Sequence, residues 1–268
     1  MAVYDCTMFH WEFDMLELRM KELWNEVDYF CVTESLYDHR GNKRELALSD
    51  NLSKFDWAKE KLVVNISDKP EVANSTWDYE RHQRLESLAS PLRRFDVNAE
   101  DLFIISDMDE IVRPEAVKAM RGKEGLFTLQ MPMYYYYVNL YITEWFFPRA
   151  VTPNFFQNPN ILRQSHPQTS TLVQNAGWHF SYLGDADEIL HKLKTFAHDE
   201  FDVPEITNID HVLDAIKNKK DLFGRKKLVE FGPGGFAKYQ PFEILNIDES
   251  WPKTITSNID KYQKYIAN

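Results

Sequence analysis

The stretch that decides the fold is LFIISDMDEI, residues 102–111. Its first four residues are apolar on both faces, which is typical of a strand in a sheet that helices cover on both sides. Asp107 and Asp109 follow at the carboxyl end of this strand, which is the edge where open α/β sheets bind their ligands. The stretch therefore predicts an α/β fold with a ligand site at that edge.

Asp107 and Asp109 are separated by one residue. Residues i and i+2 point the same way from an extended chain, so the two carboxylates can converge on one ion. Hard oxygen ligands suit Mg(II) or Mn(II), which keep open positions for substrate phosphates. The alternative is a solvated acidic turn ahead of a helix that begins at Pro114. The apolar strand before the pair favours the metal site.

The first 110 residues alternate between helical and strand patterns. Ser75 or Thr76 is the predicted N-cap of the longest helix. The patterns predict strands over 3–6, 29–33, 62–66 and 102–105, and helices over 13–23 and 77–95. Strands that alternate with helices imply a parallel sheet with right-handed crossovers.

The second half is richer in aromatic residues and less regular. The patterns predict strands over 125–140, 149–156 and 177–183, and helices over 186–197 and 209–218. From residue 231 onwards, Gly-Pro-Gly-Gly and several prolines predict an irregular segment that wraps the domain.

Composition excludes several classes of protein. The chain has 268 residues, 42 acidic and 31 basic, which gives a net charge of −11. A hydrophobic fraction of 44% excludes a disordered or collagen-like chain, and the negative charge argues against nucleic-acid binding. Cys6 and Cys31 are expected to be buried free thiols, one bridge being the alternative. No signal peptide or membrane anchor is predicted, so we expect a cytoplasmic location.

Two enzyme families place an Asp-x-Asp motif after an apolar strand. In haloacid-dehalogenase-like phosphatases the first aspartate, here Asp107, is a nucleophile, but that family usually has the motif near the start of the chain, whereas about a hundred residues precede it here. In nucleotide-sugar glycosyltransferases of the GT-A fold the motif follows several βα units, which is the order found here. The second family therefore matches better.

The chain resembles glycosyltransferase family 17, the bisecting N-acetylglucosaminyltransferases. Several blocks in fixed order carry this resemblance: YDC at 4–6, EFDMLELR at 12–19, VDYF at 27–30, TES at 33–35, Trp77 with Glu80, Gln83 and Arg84, SDMDEI at 106–111, GWHFSY at 177–182, and Lys192 with FAHDE at 196–200.

The resemblance implies one GT-A-like, Rossmann-like domain with a mixed sheet flanked by helices. Its parts would be a nucleotide-binding half (1–110), an acceptor half (111–230) and a carboxyl-terminal wrap (231–268). The implied reaction is transfer of N-acetylglucosamine from UDP-GlcNAc to a glycan in β linkage, with inversion and with Mn(II) or Mg(II). A non-catalytic glycan-binding module is a further alternative.

The resemblance also implies site residues at the donor. His198 would complete the metal site of Asp107 and Asp109, although one histidine near a helix end is more often a surface residue. Arg84 would bind the phosphates, alongside Asp107, or hold an acidic site residue. It could instead pair with Glu80 along its helix. Glu34 would contact the uridine or ribose, or instead act as a surface cap.

The remaining expectations concern the acceptor. Glu188 matches a family acidic position and is the first candidate for the general base, with Asp187 as the alternative. Both could instead be first-turn acids that the helix dipole favours. The predicted sugar pocket is formed by Trp178, His179, Tyr137 and Asn139, although Trp178 fits a core position equally well.

Overall fold

The computed structural model describes residues 1–225 and 242–268. Its amino-terminal half alternates strands and helices. In chain order these are β1 (Val3–Phe9), α1 (Phe13–Leu23), β2 (Tyr29–Ser35), a 3-10 segment (Ser49–Ala58), β3 (Leu62–Ser67), α2 (Thr76–Arg94) and β4 (Leu102–Ile105). The strands pair in parallel in the order β3-β2-β1-β4, so the parallel arrangement predicted for this half is confirmed.

The helices of this half form where the sequence predicts them. Leu16, Met20 and Leu23 of α1 recur at helical spacing, and all three are fully buried. At the start of α2, Ser75 and Asp78 form a capping box, which satisfies free amides of the first turn.

The carboxyl-terminal half completes the first sheet and builds a second one. Its elements are β5 (Glu110–Val112), α3 (Pro114–Met120), β6 (Leu126–Leu129), β7 (Met131–Tyr135), β8 (Leu140–Trp145), β9 (Arg149–Val151), α4 (Pro159–Gln164), β10 (Thr171–Val173), β11 (Gly177–Ser181), α5 (Ala186–Thr195), α6 (Ile209–Lys217), β12 (Glu243–Ile244), α7 (Lys253–Thr256) and α8 (Ile259–Tyr262).

The first sheet has the order β10-β6-β9-β4-β1-β2-β3. Strand β9 runs antiparallel to both of its neighbours, β4 and β6, whereas the other pairs are parallel. This mixed sheet with flanking helices confirms the predicted α/β class.

The second sheet has the order β12-β8-β7-β11-β5. Residues 106–109 form the turn that leads from β4 of the first sheet to β5 of the second. Gly177 of β11 lies so close to β5 that an added Cβ would be 2.1 Å from the carbonyl oxygen of Ile111. The close pairing of β5 with β11 therefore requires glycine there and fixes the far end of the turn.

Two predicted strands are wrong in extent. The single strand over 125–140 is divided at Gln130 into β6 and β7, which belong to different sheets. Both parts are apolar, so the pattern does not mark the point where the chain changes sheet. The strand predicted over 149–156 ends at Val151, because Pro153 begins a 3-10 turn.

The carboxyl-terminal segment falls partly outside the described residues. The Gly-Pro-Gly-Gly of the predicted wrap lies among residues 226–241, which are not described. In the part that is described, Trp251 and Ile255 are buried in the main hydrophobic core. Asn139 holds the end of the chain, because its side chain bonds the backbone of Ala267 at 2.8 and 3.0 Å.

Cys6 and Cys31 are buried and unbridged, which confirms the predicted free thiols. They lie opposite each other on β1 and β2. No helix in the described ranges combines the length and apolar character needed to cross a bilayer.

Candidate active site

The turn of residues 106–109 opens into a cleft with two adjoining lobes. The larger lobe has a volume of about 620 Å³ and the smaller about 610 Å³. Asp107 lines the larger lobe, whereas Asp109 lies where the lobes meet and lines both. These volumes are typical of small-molecule sites, so the two aspartates lie at a cavity of ligand size.

Arg19 of α1 holds this turn from beneath. Its guanidinium donates to the carbonyl oxygens of Asp107 at 2.8 Å and of Glu110 at 3.0 Å. The same group donates to the carboxylate of Asp5 at 2.5 and 2.7 Å, and Arg19 is fully buried. Since a guanidinium presents its donors in a fixed fork, one side chain fixes the turn and its own counter-ion together.

Two arginines hold the carboxylate of Asp107. Oδ2 accepts a hydrogen bond from Arg163 at 2.7 Å, and Oδ1 accepts one from Arg84 at 3.1 Å. Arg163 also pairs with Glu110 at 2.6 Å, and Arg84 with Glu80 at 2.5 Å. Desolvation alone would raise the pKa of Asp107, but Arg163 and then Arg84 lower it to about 2. The carboxylate is therefore ionised and paired at neutral pH.

Lys192 of α5 and His179 of β11 face the carboxylate of Asp109. Nζ of Lys192 donates to Oδ2 at 3.0 Å, and Nε2 of His179 lies 3.5 Å from Oδ1. Desolvation would raise the pKa of Asp109, but Lys192 and then His179 hold it well below its usual range. Desolvation likewise lowers the pKa of Lys192, and Asp109 more than reverses this. Both members of the pair are therefore charged at neutral pH.

Two histidines in contact, the buried His39 and the half-buried His10, lie at the junction of the lobes. Nε2 of His10 and Nε2 of His39 are 2.9 Å apart, and the latter is 3.2 Å from Oε1 of Gln83. Desolvation is the main cause that lowers the pKa of both rings. The two imidazoles are therefore neutral at neutral pH and add no charge to the cleft.

Aromatic rings form much of the wall of the larger lobe. Trp77 and Trp145 both line it, and so do Tyr135, Phe147, Phe196, Phe201 and Phe223. Nε1 of Trp145 donates to Glu110 at 2.5 Å, which joins this wall to the charged network around Asp107. Apolar walls with a few fixed charges are the usual composition of a small-molecule site.

The structure brings most of the side chains selected from the sequence into this cleft. The larger lobe is lined by Asp107, Asp109, Arg84, His179 and His198, and the smaller by Asp109, Asp187 and Glu188. His198 lies 2.6 Å from Glu200 through Nδ1, and its ring contacts Trp77. Glu188 accepts a hydrogen bond from the Asp185 amide at 2.9 Å, in the capping box that begins α5.

Four predicted site residues do not line either lobe. Glu34 is fully buried, and it accepts hydrogen bonds from the amides of Leu48 at 2.7 Å and Ser49 at 2.9 Å. Trp178 is buried in the core beneath Arg113.

The other two of the four belong to structural contacts. Asn139 anchors the carboxyl-terminal segment, as described above. Tyr137 is half-buried and packs against the second hydrophobic cluster. Neither side chain is among the described residues that line the two lobes.

The donor atoms at the turn do not fit a resident divalent ion as they are arranged. The oxygens of Asp107 accept from guanidinium groups and Oδ2 of Asp109 accepts from an ammonium group, whereas a metal ligand must direct a lone pair at the ion. In residues 1–225 and 242–268, no three His, Cys, Asp or Glu side chains form a group that could hold a metal. A metal at this turn would share these carboxylates with the cationic side chains or displace them.

Several important side chains were not selected from the sequence as site residues. Arg19 does leave a signal, because it is a charged residue on the apolar stripe of α1, and such a residue needs a buried partner. Lys192 belongs to a family-like block but has no motif of its own. Arg163 has no signal, because only the packing of α4 brings it to Asp107.

The chain has an α/β fold with a cleft at the carboxyl edge of its mixed sheet. Human β-1,4-mannosyl-glycoprotein 4-β-N-acetylglucosaminyltransferase is 31% identical over 121 residues, which is 42% of this chain and 22% of the human protein. The rat protein of the same name gives the same identity and coverage. The match therefore spans much less than two thirds of these relatives.

The family model of glycosyltransferase family 17 matches residues 1–229. The chain therefore belongs to glycosyltransferase family 17.

Two solved structures are distantly similar to this chain. The inositol-1-phosphate CTP transferase from T. maritima is 10% identical, with 69% of this chain and 86% of that chain covered and a TM-score of 0.34. The mannosyltransferase PcManGT from Pyrobaculum calidifontis, in complex with GDP-Man and Mn2+, is 10% identical, with 80% and 69% covered and a TM-score of 0.37. Both likenesses are too distant to carry functional information.

Proposed function

We propose that this chain transfers N-acetylglucosamine from UDP-GlcNAc to a hydroxyl group of a glycan, with inversion to a β linkage. One observation carries the proposal. The acidic turn, its paired cations and a wall of aromatic rings all face one cleft, in a member of a glycosyltransferase family. The sugar and the linkage come from the partial match to the N-acetylglucosaminyltransferases.

The reaction would be a single in-line displacement. The acceptor oxygen attacks the anomeric carbon of the sugar, and the bond from that carbon to the β-phosphate oxygen breaks. The electron pair of the broken bond leaves with UDP, and the hydroxyl proton passes to a carboxylate. The enzyme must therefore stabilise negative charge on the leaving diphosphate and accept one proton.

The larger lobe suits the donor. Its flat rings, Trp77 among them, offer surfaces on which a base can stack. Arg84, Arg163 and Lys192 place positive charge beside the acidic turn. Fixed cations at the point where charge develops lower the barrier for departure of the diphosphate.

Glu188 and Asp187 remain the candidates for the base. Both line the smaller lobe, which adjoins Asp109 and Lys192. Glu188 uses one carboxylate oxygen, Oε2, to accept from the Asp185 amide, so Oε1 is the atom that would take the proton.

A divalent ion on Asp107, Asp109 and His198 stays a prediction. No step above uses a metal, because the two carboxylates are held by protein cations in this structure. The phosphatase alternative is less well supported, since both oxygens of Asp107 already accept from arginines and the nucleophile would need a free one.

The test is release of UDP from UDP-GlcNAc, compared with UDP-galactose and GDP-mannose, in a buffer containing MnCl2. We expect turnover of UDP-GlcNAc above the others, and a loss of about 100-fold in Asp109→Asn. Asp210→Asn is the matched control, because Asp210 is an exposed acid on α6. Turnover of no nucleotide sugar, with hydrolysis of phosphate esters instead, would contradict the proposal.

A further inference from the structure

We propose that the smaller lobe is the acceptor subsite and that an uncharged sugar ring of the acceptor stacks on Trp11. This inference rests on the proposed function and deepens it. It states where on the protein the acceptor binds and that the bound sugar carries no charge.

The walls of the smaller lobe have the composition of a sugar site. Apolar and aromatic side chains from α1, β11, α5 and the turn between β11 and α5 contribute to them, among them Phe13, Met15, Phe180, Leu183 and Ile189. A volume of about 610 Å³ exceeds the lower limit of about 300 Å³ for ligand pockets. A sugar presents apolar C–H faces and polar hydroxyl edges, so it binds where rings and carboxylates alternate.

Trp11 lies at the mouth of this lobe. It follows β1 and precedes α1, and its side chain lines the lobe while 44% of the residue remains exposed. Its ring contacts His191 of α5 at 5.6 Å between centroids, which holds it at the mouth. Aromatic side chains are frequent in the lining of ligand pockets, and the exposed face of this ring is open to a ligand.

The charges at this lobe select against an anionic acceptor. Glu12, Asp187 and Glu188 line it. Among the described residues that line the lobe, Lys192 is the sole lysine or arginine, and Asp109 already pairs with it at 3.0 Å. A carboxylate or sulfate on the sugar would meet several like charges, whereas a neutral sugar would find hydrogen-bond acceptors for its hydroxyls.

The position of the lobe also suits an acceptor. Asp109 and Lys192 line both lobes, so the two cavities meet at the group proposed to face the donor diphosphate. A sugar in the smaller lobe would therefore have its hydroxyl next to the donor, with Glu188 on the same side.

The experiment measures binding of the labelled full chain to an array of neutral oligosaccharides and their sialylated or sulfated counterparts. We expect the bound members to be uncharged. Trp11→Ala should weaken their binding about tenfold, and Trp11→Phe should restore most of it. Trp57→Ala is the matched control, because Trp57 is 42% exposed and lies outside both lobes.

UDP-GlcNAc hydrolysis without an acceptor separates this inference from the proposed function. Trp11→Ala should lower transfer to a bound neutral glycan, whereas the control Trp57→Ala should leave both that transfer and the acceptor-free hydrolysis unchanged. Equal binding of anionic glycans, binding by no neutral glycan, or Trp11→Ala binding as tightly as wild type would each overturn the inference. If the wild-type chain did not turn over UDP-GlcNAc but still bound neutral glycans in a Trp11-dependent way, the proposed function would be overturned. The glycan subsite would still stand.

Discussion

The two lobes of the cleft differ in how their charges are matched. In the larger lobe, Asp107 meets two guanidinium groups, and aromatic rings surround this network. In the smaller lobe, Asp187 and Glu188 lie on apolar walls, with Lys192 shared between the lobes. The first arrangement holds paired cations and carboxylates beside aromatic rings, whereas the second leaves carboxylates for hydroxyl groups and a proton. The difference is consistent with the proposed donor and acceptor sides.

Arg19 supports both sides, so its loss should have the largest effect. Arg19→Met would leave the buried carboxylate of Asp5 without its partner and free the turn of residues 106–109. We expect a loss of about 3–5 kcal/mol in the free energy of unfolding, measured by chemical denaturation. Lys21→Met is the control on the same helix, because the exposed pair of Lys21 with Glu17 contributes about 0.5 kcal/mol or less. If Arg19→Met lowered the free energy of unfolding no more than the control does, this stabilising role of Arg19 would be contradicted.

Glu188 tests the acceptor side alone. Glu188→Gln keeps the capping box, since glutamine also accepts from the amide, but it cannot take the proton. We expect transfer to fall about 100-fold or more with the affinity for UDP unchanged, measured by steady-state kinetics and calorimetry. Asp187→Asn is the companion variant. If only that variant loses transfer, Asp187 is the base, and if neither does, the base lies elsewhere.

The shared Lys192 tests the metal prediction. Its ammonium lies 3.0 Å from Asp109, so a divalent ion has to compete with it. Lys192→Met should therefore bind Mn(II) about tenfold more tightly than wild type, as measured by titration. Lys194→Met, which removes an exposed charge from the same helix, should leave Mn(II) affinity unchanged. Equal affinities in wild type and Lys192→Met would show that this lysine does not occupy a metal position.

The smallest effect is expected in how the free energy of unfolding changes at acid pH, where the ion pairs of Asp107 are lost. The folded-state pKa of Asp107, about 2, lies below the unfolded value of about 3.9. Its stabilisation is therefore complete above the unfolded pKa and is lost as the pH falls towards 2. Asp107→Asn should remove about 1 kcal/mol of this pH dependence, after allowance for partial exposure. Denaturation curves at pH 6 and pH 3 measure this difference. If the free energy of unfolding fell equally with pH in wild type and Asp107→Asn, the pairing of Asp107 with the two arginines would be contradicted.

The sequence predicts the donor side better than the acceptor side, and the reason is physical. Asp107 and Asp109 follow a strand whose apolar pattern is local, so β4 and the turn are found from their own residues. Arg163 and Lys192 reach the turn from α4 and α5 across the second sheet, and no local pattern records that approach. Trp11 likewise shows its role only when α5 is packed beside it.

The same limit explains where the structure departs from the sequence patterns. Gln130 marks a change of sheet that neighbouring apolar residues conceal. Trp178, Asn139 and Glu34 were selected for their chemistry, and the structure gives them packing and hydrogen-bond contacts away from the two lobes. A polar or aromatic residue selected for its chemistry can therefore have a structural role instead.

The most direct test of the two-sided cleft compares one tryptophan from each lobe. The Michaelis constants for UDP-GlcNAc and for a neutral acceptor glycan are measured in Trp77→Ala, Trp11→Ala and the control Trp57→Ala. The account predicts that Trp77→Ala raises the constant for the donor alone, that Trp11→Ala raises the constant for the acceptor alone, each about tenfold, and that the control changes neither. Equal effects of both variants on both constants, or the reverse assignment, would contradict it.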